Sequence, residues 1–476
     1  MHRVRLFLPL AVLLPLFATT SLAEDWREFR GPGASGVVES SLPTEWSTDK
    51  NVAWKVHVDG VAWSCPIIVG DKLILTTAYS KGQPKPKAGG GFGGGGFGKG
   101  GPGGGKGGPG GFGKGTVPKE MYQFKIVCLD RKTGEPVWEK VAKEARPTIP
   151  THGSNTYATE TPVSDGERIY AYFGMTGLYC YSLDGKEVWK KDLGSHAMQF
   201  GFGTGSSPVL AGDRLFIQCD NEEKSFLIAL DKKTGEELWK VDRRERSGWS
   251  TPFVWKTKDR TDIVAIGGQK IRGYDPANGN VVWELNIGGG QCAASPVGDS
   301  ERLYVGVGVG GGGFGGGGFG GPKGGNSRAG TLFAVKAGAK GDITPKASES
   351  KSEGIAWSAA RAWPGSASPL VYAGYVYVLD QRGGMISCYE AKTGKEAYTR
   401  ERIPNAKGFW ASPWAANGKI YCLDEEGQTH VLKAGGEFEV LNVNKLGRDM
   451  YWSTPAAANG SLFIRSVDSL YCIGKK

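Results

Sequence analysis

Glu160 stands two residues before Pro162. Seven other prolines recur in the same local context, Pro66, Pro208, Pro252, Pro296, Pro369, Pro413 and Pro455, and the residues two before them are Ser64, Ser206, Ser250, Ala294, Ala367, Ala411 and Ser453. A lone carboxylate among small residues needs a partner, a metal or water wherever the position is enclosed. Glu160 is therefore a candidate ligand or metal residue, and equally a structural hydrogen-bonding group. Three residues before the prolines stand Trp63, Trp249, Trp410 and Trp452. Indoles at equivalent positions can converge into an aromatic platform for a flat ligand, or simply pack. The same loops carry Arg246, Arg361, Lys407 and Arg448, cations that can bind carboxylates or remain solvated. These are the candidate ligand-binding residues. Asp59, Asp449, His152 and His196 lie in the same loops. No nucleophile, base and orienting group can be assembled from the spacing, so no catalytic residue is assigned. No C-x-x-C or H-E-x-x-H occurs, and no metal site is assigned.

Such residues converge only if the prolines mark equivalent points of a repeat. Five of the seven intervals between prolines are 42 to 46 residues, and the long ones are 96 and 73. Each copy reads as four short strands. A small-residue strand contains the proline. A Gly-Asp or Asn-Gly turn follows, as at Gly70-Asp71, Gly212-Asp213 and Asn417-Gly418, because these residues tolerate tight-turn geometry. Two apolar strands come next, then D-x-x-T-G or a variant (Asp130–Gly134, Asp231–Gly235, Asp275–Gly279, Glu390–Gly394). A fourth strand carries Trp138, Trp189, Trp239 or Trp283, whose ring can fill the space between sheets. Four-stranded units at this period predict an all-β fold, an eight-bladed β-propeller. The last copy stops after its third strand, and an unpaired strand over 51–58 precedes the first. Their pairing would close the ring and remove two free edges.

The N-terminus reads as a signal peptide over 1–23: a basic MHRVR, an apolar LFLPLAVLLPLFA and small residues before Ala23. A lead segment spans 24–50 and the propeller 51–476. The apolar run is too short to cross a bilayer, so an exported, periplasmic or secreted monomer without a membrane span is expected. The formal charge is +10, but residues 81–119 hold seven Lys and no acid, which concentrates the imbalance in one segment. That segment and 308–327 share the string GGGFGGGGFG (89–98 and 311–320). Such composition cannot bury a core and predicts disorder. Each arm interrupts a copy between its second and third strands, in blades one and five, on opposite sides of the ring. Weak polyanion contact through Lys and Phe of 81–119 is one possible use of the arm. GGGGFGKG (93–100) and GPGGFGKG (108–115) are not phosphate loops, because no Ser/Thr follows the Lys and no helix follows the loop. Cys128, Cys180, Cys388 and Cys472 share one repeat position, too far apart to bridge, and read as small buried hydrophobes.

The pattern SPVL-x-GDRLF…LDKKTGEELWK resembles the repeat of PQQ-like β-propellers, and DWREFRGPGASGVVESSLPTEWSTDKNVAWKV resembles the start of exported members. That family includes quinoprotein alcohol dehydrogenases and the propeller lipoprotein of the outer-membrane β-barrel assembly machinery. The first group implies PQQ held between a tryptophan and an adjacent-cysteine disulfide, with Ca²⁺ on Glu, Asn and Asp. Here no two cysteines are adjacent, and only Glu160 matches the calcium-binding Glu, by location. The resemblance therefore implies a non-catalytic binding or assembly scaffold of the cell envelope. Its contact with an envelope protein or small ligand would lie at the funnel mouth. The alternative is a PQQ- and calcium-dependent oxidoreductase of alcohols or sugars; no cofactor is otherwise expected.

Overall fold

The structure is a computed structural model that describes residues 25–86, 117–290, 292–308, 328, 330–362, 364–381 and 383–474. The expected signal peptide and the central parts of both glycine arms lie outside the described residues.

Eight antiparallel sheets are arranged as blades. Blade one runs from the inner strand Ile67–Val69 through Lys72–Tyr79 and Tyr122–Asp130 to the outer strand Pro136–Ala145. Blade eight takes its inner three strands from Ala456–Ala458, Ser461–Arg465 and Ser469–Ile473, and its outer strand from Val52–His57. That pairing, with Trp54 opposite Cys472, is the expected closure. The first arm departs between the second and third strands of blade one, and the second between Arg302–Gly306 and Leu332–Lys336 of blade five.

Two details depart from expectation. The inner strands begin after the proline, not on it, as in Val209–Ala211 after Pro208 and Trp414–Ala416 after Pro413. Proline has no N–H to give a ladder, so it stands at the strand's entrance. The long interval in blade five also holds a second insertion, between Leu332–Lys336 and Ile355–Ala359. Its Gly341–Asp342 pairs in parallel with the outer strand Val281–Asn286 of blade four.

The core is the set of seams between blades. Leu215, Ile217, Ile228 and Leu230 of blade three pack on Tyr170, Leu178 and Cys180 of blade two, each large apolar side chain contributing about 1.5–3 kcal/mol on burial. All eight cysteines are free, and Cys128, Cys180, Cys388 and Cys472 are buried in seams.

At the periphery, tryptophans join neighbouring blades. The Trp189 indole of blade two donates to Lys232 O of blade three at 3.2 Å. Trp54, Trp138, Trp239 and Trp357 do the same toward Arg131, Leu183, Pro276 and Ala391. Each ring lies on the glycine of the next blade's turn. A Cβ built on Gly235 (φ +76°) would come within 2.7 Å of Trp189. The D-x-x-T-G sequence builds this seat, because Asp231 Oδ1 accepts the amides of Lys233 and Thr234 at 2.7 and 2.9 Å. Trp283 departs from the pattern. Its indole turns into its own blade, onto the buried Asp262 at 2.9 Å, and Trp255 makes the contact to the next blade through Asp299 O at 2.7 Å.

Toward the axis, the residue before each proline makes a second belt. The Thr161 amide donates to Ser207 Oγ at 2.9 Å, Ser207 to Thr251 Oγ1 at 3.1 Å, and Thr251 to Ser295 Oγ at 3.0 Å. The chain continues from Ser295 to Ser368, Ser368 to Ser412 and Ser412 to Thr454. Cys65 donates to Thr161 Oγ1 at 3.0 Å, and its thiol faces Thr454 across the remaining gap. Seven hydroxyls and one thiol thus form the inner belt.

The peripheral contact predicts unequal costs for two glycines of similar φ. Gly212→Ala (φ +60°, nothing within 4 Å of the new Cβ) should lose about 1–2 kcal/mol from backbone strain. Gly235→Ala should lose a further ~1–3 kcal/mol by displacing Trp189. Urea and thermal midpoints measure both, and equal losses would contradict the docking role. For the inner belt, Ser207→Ala strands the Thr161 amide and should cost about 1–3 kcal/mol. Cys65→Ser replaces a poor acceptor with a good one and should melt no lower than the parent chain.

Candidate functional site

The loops before the prolines gather at one end of the channel around a cavity of ≈ 190 Å³. Trp63, Trp249, Trp410 and Trp452 all line it, together with Phe202 and the inner-belt residues. Trp410 and Trp452 stack at 3.7 Å with planes 13° apart, and Trp63 stacks on Trp452 at 5.2 Å and 28°. Trp249 stands apart from this stack, anchored by its indole N–H to Gly203 O at 2.8 Å. Trp63 is held in the same way by Ser154 O at 2.9 Å. The loop 152–159 closes another side: Asn155 donates to Phe202 O at 2.7 Å and accepts from Thr159 Oγ1 at 2.7 Å.

The lead segment supplies a wall that sequence reasoning missed. Trp26 exchanges backbone hydrogen bonds with Ile68 of blade one at 3.0 and 2.8 Å, and Arg27 O accepts from Ser164 of blade two at 2.8 Å. On the far side, Arg30 donates to Pro369 O of blade six at 2.7 Å, and Val37–Val38 add a parallel strand to the inner edge of blade seven. A segment bonded to inner strands on opposite sides of the ring spans the channel. Its Phe29 lines the cavity. Desolvation pushes the Glu28 carboxyl up to about 7 and the fully buried Arg30 guanidinium down to about 9.

Among the described residues, the cavity wall contains no Asp, Glu, Lys or Arg. Its two titratable groups are neutral at neutral pH. Burial lowers the His152 pKa, and His152 Nδ1 shares a 2.7 Å hydrogen bond with Ser154 Oγ. Burial raises the Cys65 thiol, against the opposing pull of Thr161 and Thr454.

The remaining expected site residues lie elsewhere. Glu160 is 1% exposed and absent from the cavity wall. It points to the opposite side of the chain from Thr161 and sits against Thr204 and Tyr172 in the seam. Among the described residues its Oε1 has no hydrogen-bond partner, and burial pushes its pKa up to about 7. Arg246, Arg361, Lys407 and Arg448 are exposed and do not line the cavity. Arg246 is paired with Glu222 at 2.9 Å. Arg448 borders a separate groove with Lys55, His57, Lys85, Asp449 and Asp468. His196 faces Glu223 at 3.5 Å. The inner belt was visible as Cys, Thr, Ser, Thr, Ser, Ser, Ser and Thr directly before the eight prolines. The lead segment carried only the weaker signal of Trp26 and Phe29 in a short polar stretch.

A three-ring quinone with three carboxylates, the cofactor implied by the dehydrogenase resemblance, does not fit these residues. The cavity is smaller than the ~300–1,000 Å³ that encloses multi-ring ligands, its wall offers no fixed cation, and Cys65 is a free thiol without a cysteine neighbour. Among the described residues, no group of three or more His, Cys, Asp or Glu is placed to hold a metal ion.

Residues 108–310 match the family model described as outer membrane protein assembly factor BamB. No curated protein matches the chain in sequence. Among solved structures, a europium-containing methanol dehydrogenase is 11% identical with a TM-score of 0.59, covering 94% of this chain and 90% of its own. The quinohemoprotein alcohol dehydrogenase from Comamonas testosteroni is 11% identical with a TM-score of 0.57, covering 96% of this chain and 82% of its own. BamB from Moraxella catarrhalis is 13% identical with a TM-score of 0.49, covering 73% of this chain and 90% of its own. At these identities the likeness concerns the fold alone. Residues 108–310 are thus similar to the repeat of that family model, and the eight-bladed ring is similar in fold to the two dehydrogenases.

Proposed function

We propose that the chain is an exported, non-catalytic binding scaffold of the cell envelope whose contact face is the funnel mouth. One observation carries this reading: the channel is spanned by the lead segment, which leaves a single-ended, uncharged, aromatic-walled recess. A recess of that kind is suited to holding a group presented from outside. His152 is neutral and engaged by Ser154, and the Cys65 thiol is held protonated in the inner belt. Neither is poised as base or nucleophile. Arg361, Lys407 and Arg448 are exposed on loops that lead to the prolines, and would offer charge-dependent contacts to a partner.

Photo-crosslinking residues placed at Arg361 and Lys407, with Val137 and Val188 on the exposed outer strands as controls, test the contact face in cells producing the full chain. Adducts restricted to the mouth positions are expected. Adducts at the outer strands alone would contradict the reading.

Glu160 is read as a structural group that is uncharged when buried. Its folded pKa of about 7 lies above the ordinary value of 4.5. Its contribution to stability is therefore fully present below about pH 4.5 and lost as pH rises through 7, at about 1.4 kcal/mol per unit. Glu160→Gln should flatten stability over that interval and leave the chain more stable than the parent at pH 8. Unfolding midpoints at pH 5 and pH 8 measure this, and parallel pH profiles would show that the carboxylate is stabilised by something else.

A further inference from the structure

We infer that the recess binds a neutral, single-ring polyhydroxyl ligand, a pyranose sugar or the terminal sugar of a glycan. The inference rests on the funnel being the contact face and goes beyond it in naming the chemistry held there. Size is the first constraint. At ≈ 190 Å³ the recess exceeds the ~150 Å³ that accepts a benzene-sized molecule and suits one six-membered ring with small substituents.

Charge is the second. With no ionised side chain on the described wall, a carboxylate or phosphate would lose its hydration without a counter-charge. Hydrogen-bonding capacity is the third. The hydroxyls of Ser207, Thr251, Ser295, Ser368 and Ser412 each accept one backbone amide. Among the described residues none of them donates its own hydrogen to a protein acceptor. Five O–H groups, each with an occupied lone pair and an available hydrogen, call for a ligand with several acceptors. A purely apolar ring would leave them unpaired, at a cost.

The aromatic geometry selects further. Trp410, Trp452 and Trp63 stack on one another, so their faces are turned to each other and they form a wall, not a cage around a cation. Trp249, fixed by Gly203 and separate from the stack, adds an apolar surface for the C–H face of a sugar. An organic cation would find aromatic rings but no use for the hydroxyl hydrogens.

Tryptophan fluorescence titration of the full chain tests the inference. The probes are glucose, galactose, mannose and N-acetylglucosamine, with glucuronate, choline and benzyl alcohol as charged, cationic and apolar comparators. At least one neutral sugar should quench saturably with a Kd of about 1–10 mM, in the range of a small ligand making a few hydrogen bonds. Glucuronate should bind at least ~10-fold more weakly, for want of a counter-charge. Ala293→Leu narrows the recess from a wall position that is neither a belt residue nor a tryptophan, and should abolish the quench while the melting profile shows a folded ring. Saturation-transfer NMR on the same sugar should mark its C–H face and fail in Ala293→Leu. Silence from every neutral sugar overturns the inference even if the mouth crosslinks an envelope protein. Equal binding of glucuronate, choline or benzyl alcohol, or binding unchanged in Ala293→Leu, overturns it as well.

Discussion

The backbone amide just ahead of each inner strand has no ladder partner within its own blade, and it is buried. A buried N–H without an acceptor is costly, and the following proline has no N–H with which to start the strand one residue earlier. The structure meets the demand across the blade boundary, with a hydroxyl from the next blade's equivalent residue. Repeated around eight blades, this one bond sets how closely the inner strands approach. It also places a ring of uncharged hydroxyls on the channel wall. At the blade-eight to blade-one junction a thiol takes the place of the hydroxyl, next to the blade in which the N- and C-terminal parts of the chain are joined by Val52–His57 and Ser469–Ile473. Arg465, fully buried, reinforces that boundary by donating to Ser64 O, Ser64 Oγ and Thr76 O at 3.1, 2.7 and 2.9 Å.

The outer tryptophans solve the opposite problem. Blades splay apart with distance from the axis, and a wide gap must be filled there. An indole spans it, and its N–H finds the carbonyl of the neighbouring turn. Glycine in the left-handed region then does two things at once: it permits the turn and leaves the seat on which the ring lies. Blade four departs from this scheme, and it is also the blade whose outer edge is engaged by Gly341–Asp342. Its buried Asp262 takes Arg260 at 2.8 Å and the Trp283 indole, so a charged pair replaces the usual aromatic seat.

Function follows from how the channel ends. The lead segment turns a through-channel into a recess and brings Phe29 to its wall. Where it crosses the ring, burial pushes the Glu28 carboxyl upward and the Arg30 guanidinium downward. The site that remains differs from a quinone funnel in volume, charge and cysteine chemistry while sharing the ring architecture. Fold and site are thus separable in this chain.

The sequence by itself determined the repeat, the blade count, the closing strand and the insertion points of both arms. These features depend on local chemistry: proline at each strand entrance, Gly-Asp and D-x-x-T-G turns, and alternation of apolar residues. Local rules also brought Trp63, Trp249, Trp410 and Trp452 to one place, since equivalent positions in a ring must converge. What a period of two could not decide was which of two successive residues faces the channel. Glu160 and Thr161 alternate, and only the packed ring shows that the hydroxyl lines the recess while the carboxylate lies in the seam. The lead segment was equally illegible. Its partners lie on blades one, two, six and seven, and no local signal encodes a contact more than three hundred residues away.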